Sequence, residues 1–157
     1  HIFTKADMKK DAYSPVKASS CVPVINQAYP VDGNLYYDGG LSNPIPIDFA
    51  FDQGCDKIVL ILTRPRDYYR SEKDDAKNVM MLKSNYPKAA QTLALRADSY
   101  NRQLEKAKAY EKEGKLLLLA PDNIDGMDML KKDKGAIQRL YQEGYKLAET
   151  IPSFLQS

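Results

Sequence analysis

Two short, uninterrupted apolar runs constrain the fold of this 157-residue chain most strongly. Residues 58–62 read Ile-Val-Leu-Ile-Leu, and residues 116–120 read Leu-Leu-Leu-Leu-Ala. A membrane-spanning helix needs about 20 apolar residues, so neither run can cross a bilayer. Short continuous apolar runs are instead typical of strands that are covered on both faces.

An amphipathic segment over residues 87–113 separates the two runs and predicts a long helix. Its apolar residues recur at steps of three or four on one helical face: Ala89, Leu93, Ala97, Tyr100, Leu104 and Ala107. A second helical pattern covers residues 134–151. Alternating strands and helices predict an α/β layered fold.

The first third of the chain carries a hairpin signal and a crossover signal. Asp32-Gly33-Asn34 is a turn sequence between two short apolar pieces, so we expect a β-hairpin there. Pro46 and Gly54 suit the first turn and the end of a helix. Strand 35–38, this helix and strand 57–63 then form a βαβ unit, which predicts that the two strands pair in parallel.

Composition excludes several classes of protein. The chain is 43% hydrophobic and 28% charged, which is ordinary for a globular domain and too apolar for a disordered one. A net charge of +2 gives no electrostatic footprint for nucleic acid. The two cysteines, Cys21 and Cys55, are too few for a disulfide framework and fit a reducing compartment, so we expect a cytoplasmic protein.

The chain begins His1-Ile2-Phe3, with no initiator methionine and no secretory signal pattern. We therefore expect it to be the interior or C-terminal part of a longer protein.

The stretch Tyr37-Asp38-Gly39-Gly40 is the most informative for function. An aspartate at the carboxyl end of a parallel strand lies where open α/β sheets build their sites, and glycines allow close approach of backbone or substrate. A plain turn explains most isolated Asp-Gly-Gly triplets. Here the triplet stands in an ordered series with three flanking segments: Ala-Ser-Ser-Cys-Val-Pro at 18–23, Asn-Pro-Ile-Pro at 43–46 and Gly-Cys-Asp-Lys-Ile-Val at 54–59.

This series resembles the C-terminal half of the catalytic domain of patatin-like phospholipases, most closely the bacterial patatin-like acyl hydrolases, over residues 16–64. The resemblance implies a three-layer α/β fold with a mostly parallel sheet, and additional helices in its C-terminal portion. Residues 1–64 would be the C-terminal half of the catalytic domain. Residues 65–157 would be a helix-rich extension packed on the same domain.

The resemblance also implies an activity. Patatins are hydrolases that cleave lipid acyl esters through a Ser–Asp dyad, without metal or cofactor. The dyad aspartate maps onto Asp38, with Gly39 and Gly40 adjoining it. The substrate would be a lipid or another acyl ester, and the role lipid degradation.

The nucleophile of that dyad is missing from the chain. No serine has glycine at both −2 and +2, and no run of three glycines offers an oxyanion hole. We expect the serine to come from the N-terminal half of the same protein, so the chain alone is predicted to be inactive. His1 is the only histidine, which leaves no internal His-based triad and no activator for the Cys21 thiol.

Other residues are expected to have structural roles. Ser19 and Ser20 lack a glycine elbow and are predicted in a loop or at a helix start. Asp122, Asp125 and Asp128 lack the glutamate that completes a calcium loop, so they are predicted to be solvated loop acids. The alternative to the enzyme is a non-catalytic α/β module, in which helices 87–113 and 134–151 bind a partner and Asp38 only shapes a turn.

Overall fold

The computed structural model of the chain describes residues 1–8, 12–127 and 133–157, and it is a mixed α/β structure rich in helix. The strands are β1 (Tyr29–Val31), β2 (Asn34–Tyr36), β3 (Ile58–Ile61) and β4 (Leu116–Leu119). The helices are α1 (Ser14–Ser19), α2 (Ile47–Asp52), α3 (Glu72–Leu82), α4 (Pro87–Ala94), α5 (Arg96–Lys112), α6 (Lys134–Ala148) and α7 (Ile151–Gln156). Short 3₁₀ turns occupy Lys5–Asp7 and Gly39–Leu41.

The chain divides into two compact units, each built from two separate segments. The first unit comprises His1–Ile45 and Arg70–Asn101, and the second comprises Pro46–Tyr69 and Arg102–Ser157. Each unit therefore takes residues from both regions, 1–64 and 65–157, that the sequence distinguishes. The assignment of those regions to a catalytic half and an extension stays a prediction.

The first unit contains the hairpin that the sequence predicts. β1 and β2 pair antiparallel, with Tyr29 opposite Tyr36 and Val31 opposite Asn34. Both residues of the connecting turn have positive φ, +46° at Asp32 and +80° at Gly33. This is the backbone of a type I′ turn, whose twist matches that of the strands, so the hairpin prediction is confirmed.

Helices α3 and α4 form the main core of the first unit. α3 begins with a capping box. The Ser71 side chain accepts a hydrogen bond from the backbone of the first turn, and the Asp74 side chain accepts one from the Ser71 N–H. Leu82, Ala90 and Leu93 are buried where the two helices pack. The side chains that cover this cluster, which we call the α3–α4 cluster, are Val24, Tyr37, Leu41, Val79 and Tyr86.

A charged group is also buried in the first unit. Asp75, 5% exposed, has Arg70 at 3.3 Å and Arg96 at 3.4 Å. A buried carboxylate is tolerated only when it is paired, and here two guanidinium groups pair it.

The second unit is built on a parallel strand pair. β3 and β4 are in register from Ile58 opposite Leu116 to Ile61 opposite Leu119. The β4 prediction is confirmed, because most of its leucines are buried. The prediction that β3 is covered on both faces is wrong, because its residues are only partly buried and Ile61 is 70% exposed.

The predicted βαβ unit is also wrong. Among the described residues, β2 pairs with β1 and β3 pairs with β4, in two separate two-stranded sheets. The tight turn at Asp32-Gly33 gives β2 an immediate antiparallel neighbour. The parallel partner of β3 comes only after α3, α4 and α5.

The buried face predicted within residues 87–113 is confirmed at Leu93, Leu104 and Ala107, but several helix boundaries differ from the prediction. α2 ends as predicted, with Gly54 at φ +83° just beyond its C-cap. The single helix predicted over 87–113 is two helices, α4 and α5, with Leu95 between them. The closing helix predicted over 134–151 ends at Ala148, and α7 begins separately at Ile151 with Pro152 in its first turn. Along α6, the apolar side chains of Ile137 and Tyr141 are exposed.

Candidate active site

Asp38 is the N-cap of the 3₁₀ turn that follows the hairpin. Its backbone N–H donates a hydrogen bond to the Cys21 carbonyl oxygen at 2.9 Å, and its own carbonyl accepts from the Leu41 N–H at 3.1 Å. The sequence had predicted Asp38 at the carboxyl end of a parallel strand. This position is wrong, because β2 is antiparallel and ends at Tyr36, so a capped turn and not a sheet edge holds the carboxylate.

Among the described residues, one oxygen of the Asp38 carboxylate has a hydrogen-bond donor. Oδ1 accepts a hydrogen bond from the Gly40 N–H at 2.7 Å. No residue within the described ranges donates a hydrogen bond to Oδ2, and the side chain is half-buried. The Gly40 N–H thus fixes the carboxylate while Oδ2 stays available to accept a proton or a hydrogen bond.

The two glycines differ in what they permit. A Cβ at position 40 would lie 3.2 Å from Asp38 Oδ1, closer than ordinary van der Waals contact, so glycine lets the carboxylate approach the Gly40 backbone. A Cβ at position 39 would meet nothing within 4 Å. Gly39 instead lies on the wall of a cavity.

This cavity, of about 340 Å³, adjoins the Asp38 turn on the hairpin side. Its aromatic wall is formed by three rings that meet edge to face, with His1 and Phe3 4.6 Å apart and Phe3 and Tyr36 5.1 Å apart, ring centre to ring centre. Further lining comes from α1, through Pro15, Val16 and Ala18. Such a lining suits an uncharged, apolar group. Sequence reasoning missed this wall, because no local pattern links the first residues of the chain to β2.

Ser19 and Ser20 line the same cavity, and Cys21 follows them in the chain. The Ser20 hydroxyl donates to the Val16 carbonyl at 3.0 Å, and the Cys21 thiol donates to the Lys17 carbonyl at 3.2 Å. The two serines end α1, so the prediction of a loop or helix start is wrong. Asp32 lies in the hairpin turn as predicted.

Tyr37, the residue before Asp38, packs on Tyr86 at the start of α4. The two rings meet edge to face, with centroids 5.5 Å apart. Burial raises the pKa of the Tyr37 hydroxyl, and the neighbouring Tyr86 hydroxyl adds to the rise. Tyr37 therefore stays protonated at neutral pH and cannot act as a base there. Tyr37 belongs to the motif, but nothing in the sequence around it predicts its contact with Tyr86.

The described part of the chain offers no metal site of three or more His, Cys, Asp or Glu side chains. Asp122 and Asp125 are exposed as predicted, and Asp128 lies outside the described residues. No described helix combines the length and the apolar character needed to cross a membrane.

A family model, described as a domain of unknown function (DUF6363), matches residues 86–153. The matched segment begins at Tyr86 and runs from α4 into α7, which is less than half of the chain. No curated protein and no solved structure matches the chain.

Proposed function

We propose that the chain is the C-terminal part of a patatin-like serine acyl hydrolase, and that Asp38 is the general base of its Ser–Asp dyad. The observation that supports this is the state of the Asp38 carboxylate: Oδ1 is held by the Gly40 N–H, Oδ2 is unoccupied among the described residues, and an apolar cavity adjoins the turn. The nucleophilic serine comes from outside these 157 residues, since none of their serines has flanking glycines at −2 and +2.

In this mechanism Asp38 accepts and returns a proton in each of two half-reactions. The serine hydroxyl gives its proton to Oδ2 as its oxygen attacks the ester carbonyl, and the carboxylic acid then returns that proton to the leaving alcohol. A water then gives a proton to Asp38 as it attacks the acyl-serine, and Asp38 returns that proton to the serine oxygen as the acid leaves. A carboxylate is a weak base in water, and it serves here once substrate displaces water from around it.

The fold proposal follows from the same resemblance. The β3–β4 pair would be part of a larger, mostly parallel sheet whose other strands lie in the N-terminal half of the protein. Residues 1–64 would complete the catalytic domain, and residues 65–157 would form the helical extension. The substrate would be a lipid or another acyl ester, and the mechanism requires no metal or cofactor.

The test is Asp38→Asn in the full protein that carries this chain. The amide keeps the shape of the side chain and the bond from Gly40, but it cannot accept a proton. We expect kcat/KM for a nitrophenyl acyl ester to fall about 10²- to 10⁴-fold, the usual worth of a general base. The thermal midpoint should stay near that of the wild type, because asparagine also caps such turns.

Asp32→Asn is the matched control. It makes the same chemical change in the hairpin turn, so the rate should stay within about threefold of the wild type, as expected for a surface turn. Near-wild-type turnover by Asp38→Asn would refute the dyad. A loss of rate that merely follows a lowered melting temperature would assign Asp38 to the turn alone.

A partner-binding module is the second candidate, and α6 is the observation that favours it. Ile137, Tyr141 and Tyr145 follow one another at four-residue steps and all are exposed. The rings of the two tyrosines lie 5.1 Å apart and form a continuous aromatic surface. Absence of ester hydrolysis by the wild-type full protein would favour this module over the enzyme.

A further inference from the structure

We infer that Tyr86, the first residue of the family-matched segment, is a positioning residue that fixes the Asp38 turn through Tyr37. The inference rests on the proposed function, since it assigns a role in the reaction to a residue outside the reacting groups. It also assigns a structural role to a residue of the segment that matches the domain of unknown function.

Tyr86 is itself held firmly. Its backbone N–H donates to the Leu82 carbonyl at 2.8 Å, and its carbonyl accepts from the Ala90 N–H at 3.0 Å. It thus joins the last turn of α3 to the first turn of α4. Its ring packs on the α3–α4 cluster, whose side chains are buried. A side chain anchored between two packed helices can act as a fixed support for what it touches.

The Asp38 turn contacts this support on both of its flanks. Tyr37 precedes Asp38 and meets the Tyr86 ring edge to face, while Leu41 ends the 3₁₀ turn and packs on the same cluster. α4 contacts the turn directly. Residues 38–40 are therefore held from both sides, with the carboxylate between the two contacts.

Within the turn, the Gly40 N–H holds the carboxylate against the backbone, so the direction of the carboxylate follows that of the turn. Outside the turn, the Asp38 N–H donates to the Cys21 carbonyl at 2.9 Å, and the contacts of Tyr37 and Leu41 add to that restraint. Removal of the Tyr86 ring should let the turn shift while the fold remains. A misplacement of about 1 Å in a reacting group can lower a rate about 100-fold.

The experiment compares three variants of the full protein. Tyr86→Ala should lower kcat about 10- to 100-fold and leave KM within about threefold, because it displaces the base rather than the substrate. Tyr86→Phe keeps the edge-to-face contact and should restore kcat to within about threefold of the wild type. Tyr110→Ala is the matched control: Tyr110 packs on Phe51, with ring centroids 4.6 Å apart, in the second unit. It should lower the melting temperature and leave kcat nearly unchanged.

Hydrogen exchange of the Gly40 amide gives a readout that needs no activity. That amide bonds the Asp38 carboxylate, so we expect its exchange to be about tenfold faster in Tyr86→Ala and unchanged in the other two variants. Unchanged Gly40 exchange in Tyr86→Ala, or an equal fall of kcat in Tyr110→Ala, would overturn the inference. Undiminished turnover by Asp38→Asn would overturn the proposed function instead, whatever the exchange shows.

Discussion

At the scale of single residues, Asp75 is the charge whose surroundings matter most for stability. Arg70 and Arg96 flank it, and the Arg70 Nε is already buried with no hydrogen-bond partner among the described residues. Loss of the carboxylate would remove the anion that both of these largely buried guanidinium groups contact. Breaking a buried ion pair by removing one partner costs far more than the pair itself contributes.

We therefore expect Asp75→Asn to lower the free energy of unfolding by about 3 kcal/mol, at the lower end for such a change because Arg96 is partly exposed. Urea denaturation followed by circular dichroism measures it. Asp67→Asn is the control, since the Asp67 side chain is 88% exposed and pairs with Lys108 on the surface. Its cost should be under about 1 kcal/mol, and equal costs for the two variants would disprove the role given to Asp75.

At the scale of elements, α5 shows how burial decides what a leucine contributes. Leu104 is 0% exposed, whereas Leu95, at the junction of α4 and α5, is 66% exposed. Both are leucines in or next to the same predicted helix, so their substitutions differ mainly in the cavity that is left behind.

Leu104→Ala should lower the free energy of unfolding by about 3 kcal/mol, through lost burial and a residual cavity. Leu95→Ala should change it by no more than about 0.5 kcal/mol, as exposed substitutions usually do. Chemical denaturation of the two variants side by side tests this. A similar loss in both would mean that Leu95 is covered in solution.

The elements also show which parts of the fold a single sequence can predict. The hairpin follows from Asp32-Gly33 and the end of α2 from Gly54, because positive φ is a local property with a local signal. The buried face of α5 follows from its spacing. The break at Leu95 has neither glycine nor proline to announce it. The partner of β3 is a tertiary property, and local order favoured the wrong strand.

The candidate site, too, has features that the local sequence predicts and features that it does not. The Asp-Gly-Gly motif identifies Asp38 and explains why glycine is needed at position 40. The cap that Asp38 forms with the Gly40 N–H is local, but the aromatic wall at Phe3 and the contact of Tyr37 with Tyr86 depend on segments distant in sequence. Patterns within a short window cannot contain them.

At the scale of the whole molecule, the described residues leave apolar side chains exposed. β3 and β4 form a sheet of only two strands, so each has an outer edge without a strand neighbour among those residues. Ile61, at the end of β3, is 70% exposed. Unpaired strand edges beside exposed apolar side chains favour association between copies.

We expect the isolated chain to associate as its concentration rises, which sedimentation velocity measures. Ile61→Lys should weaken the association about tenfold or more, because charge on an exposed strand opposes edge pairing. Met80→Lys makes a similar change on the exposed surface of α3 and should have a smaller effect. A wild-type chain that stays monomeric at all concentrations would contradict the prediction.

The pairing of Ile58 with Leu116 has a consequence for synthesis of the chain. Ribosomes add about 5–20 residues per second, so β4 is completed roughly 3 to 12 seconds after β3. The β1–β2 hairpin, by contrast, can form within about 1–10 microseconds of its turn being available. During synthesis, β3 is therefore an apolar segment without its partner strand until β4 has been made. Chaperone binding would protect the chain most during this interval.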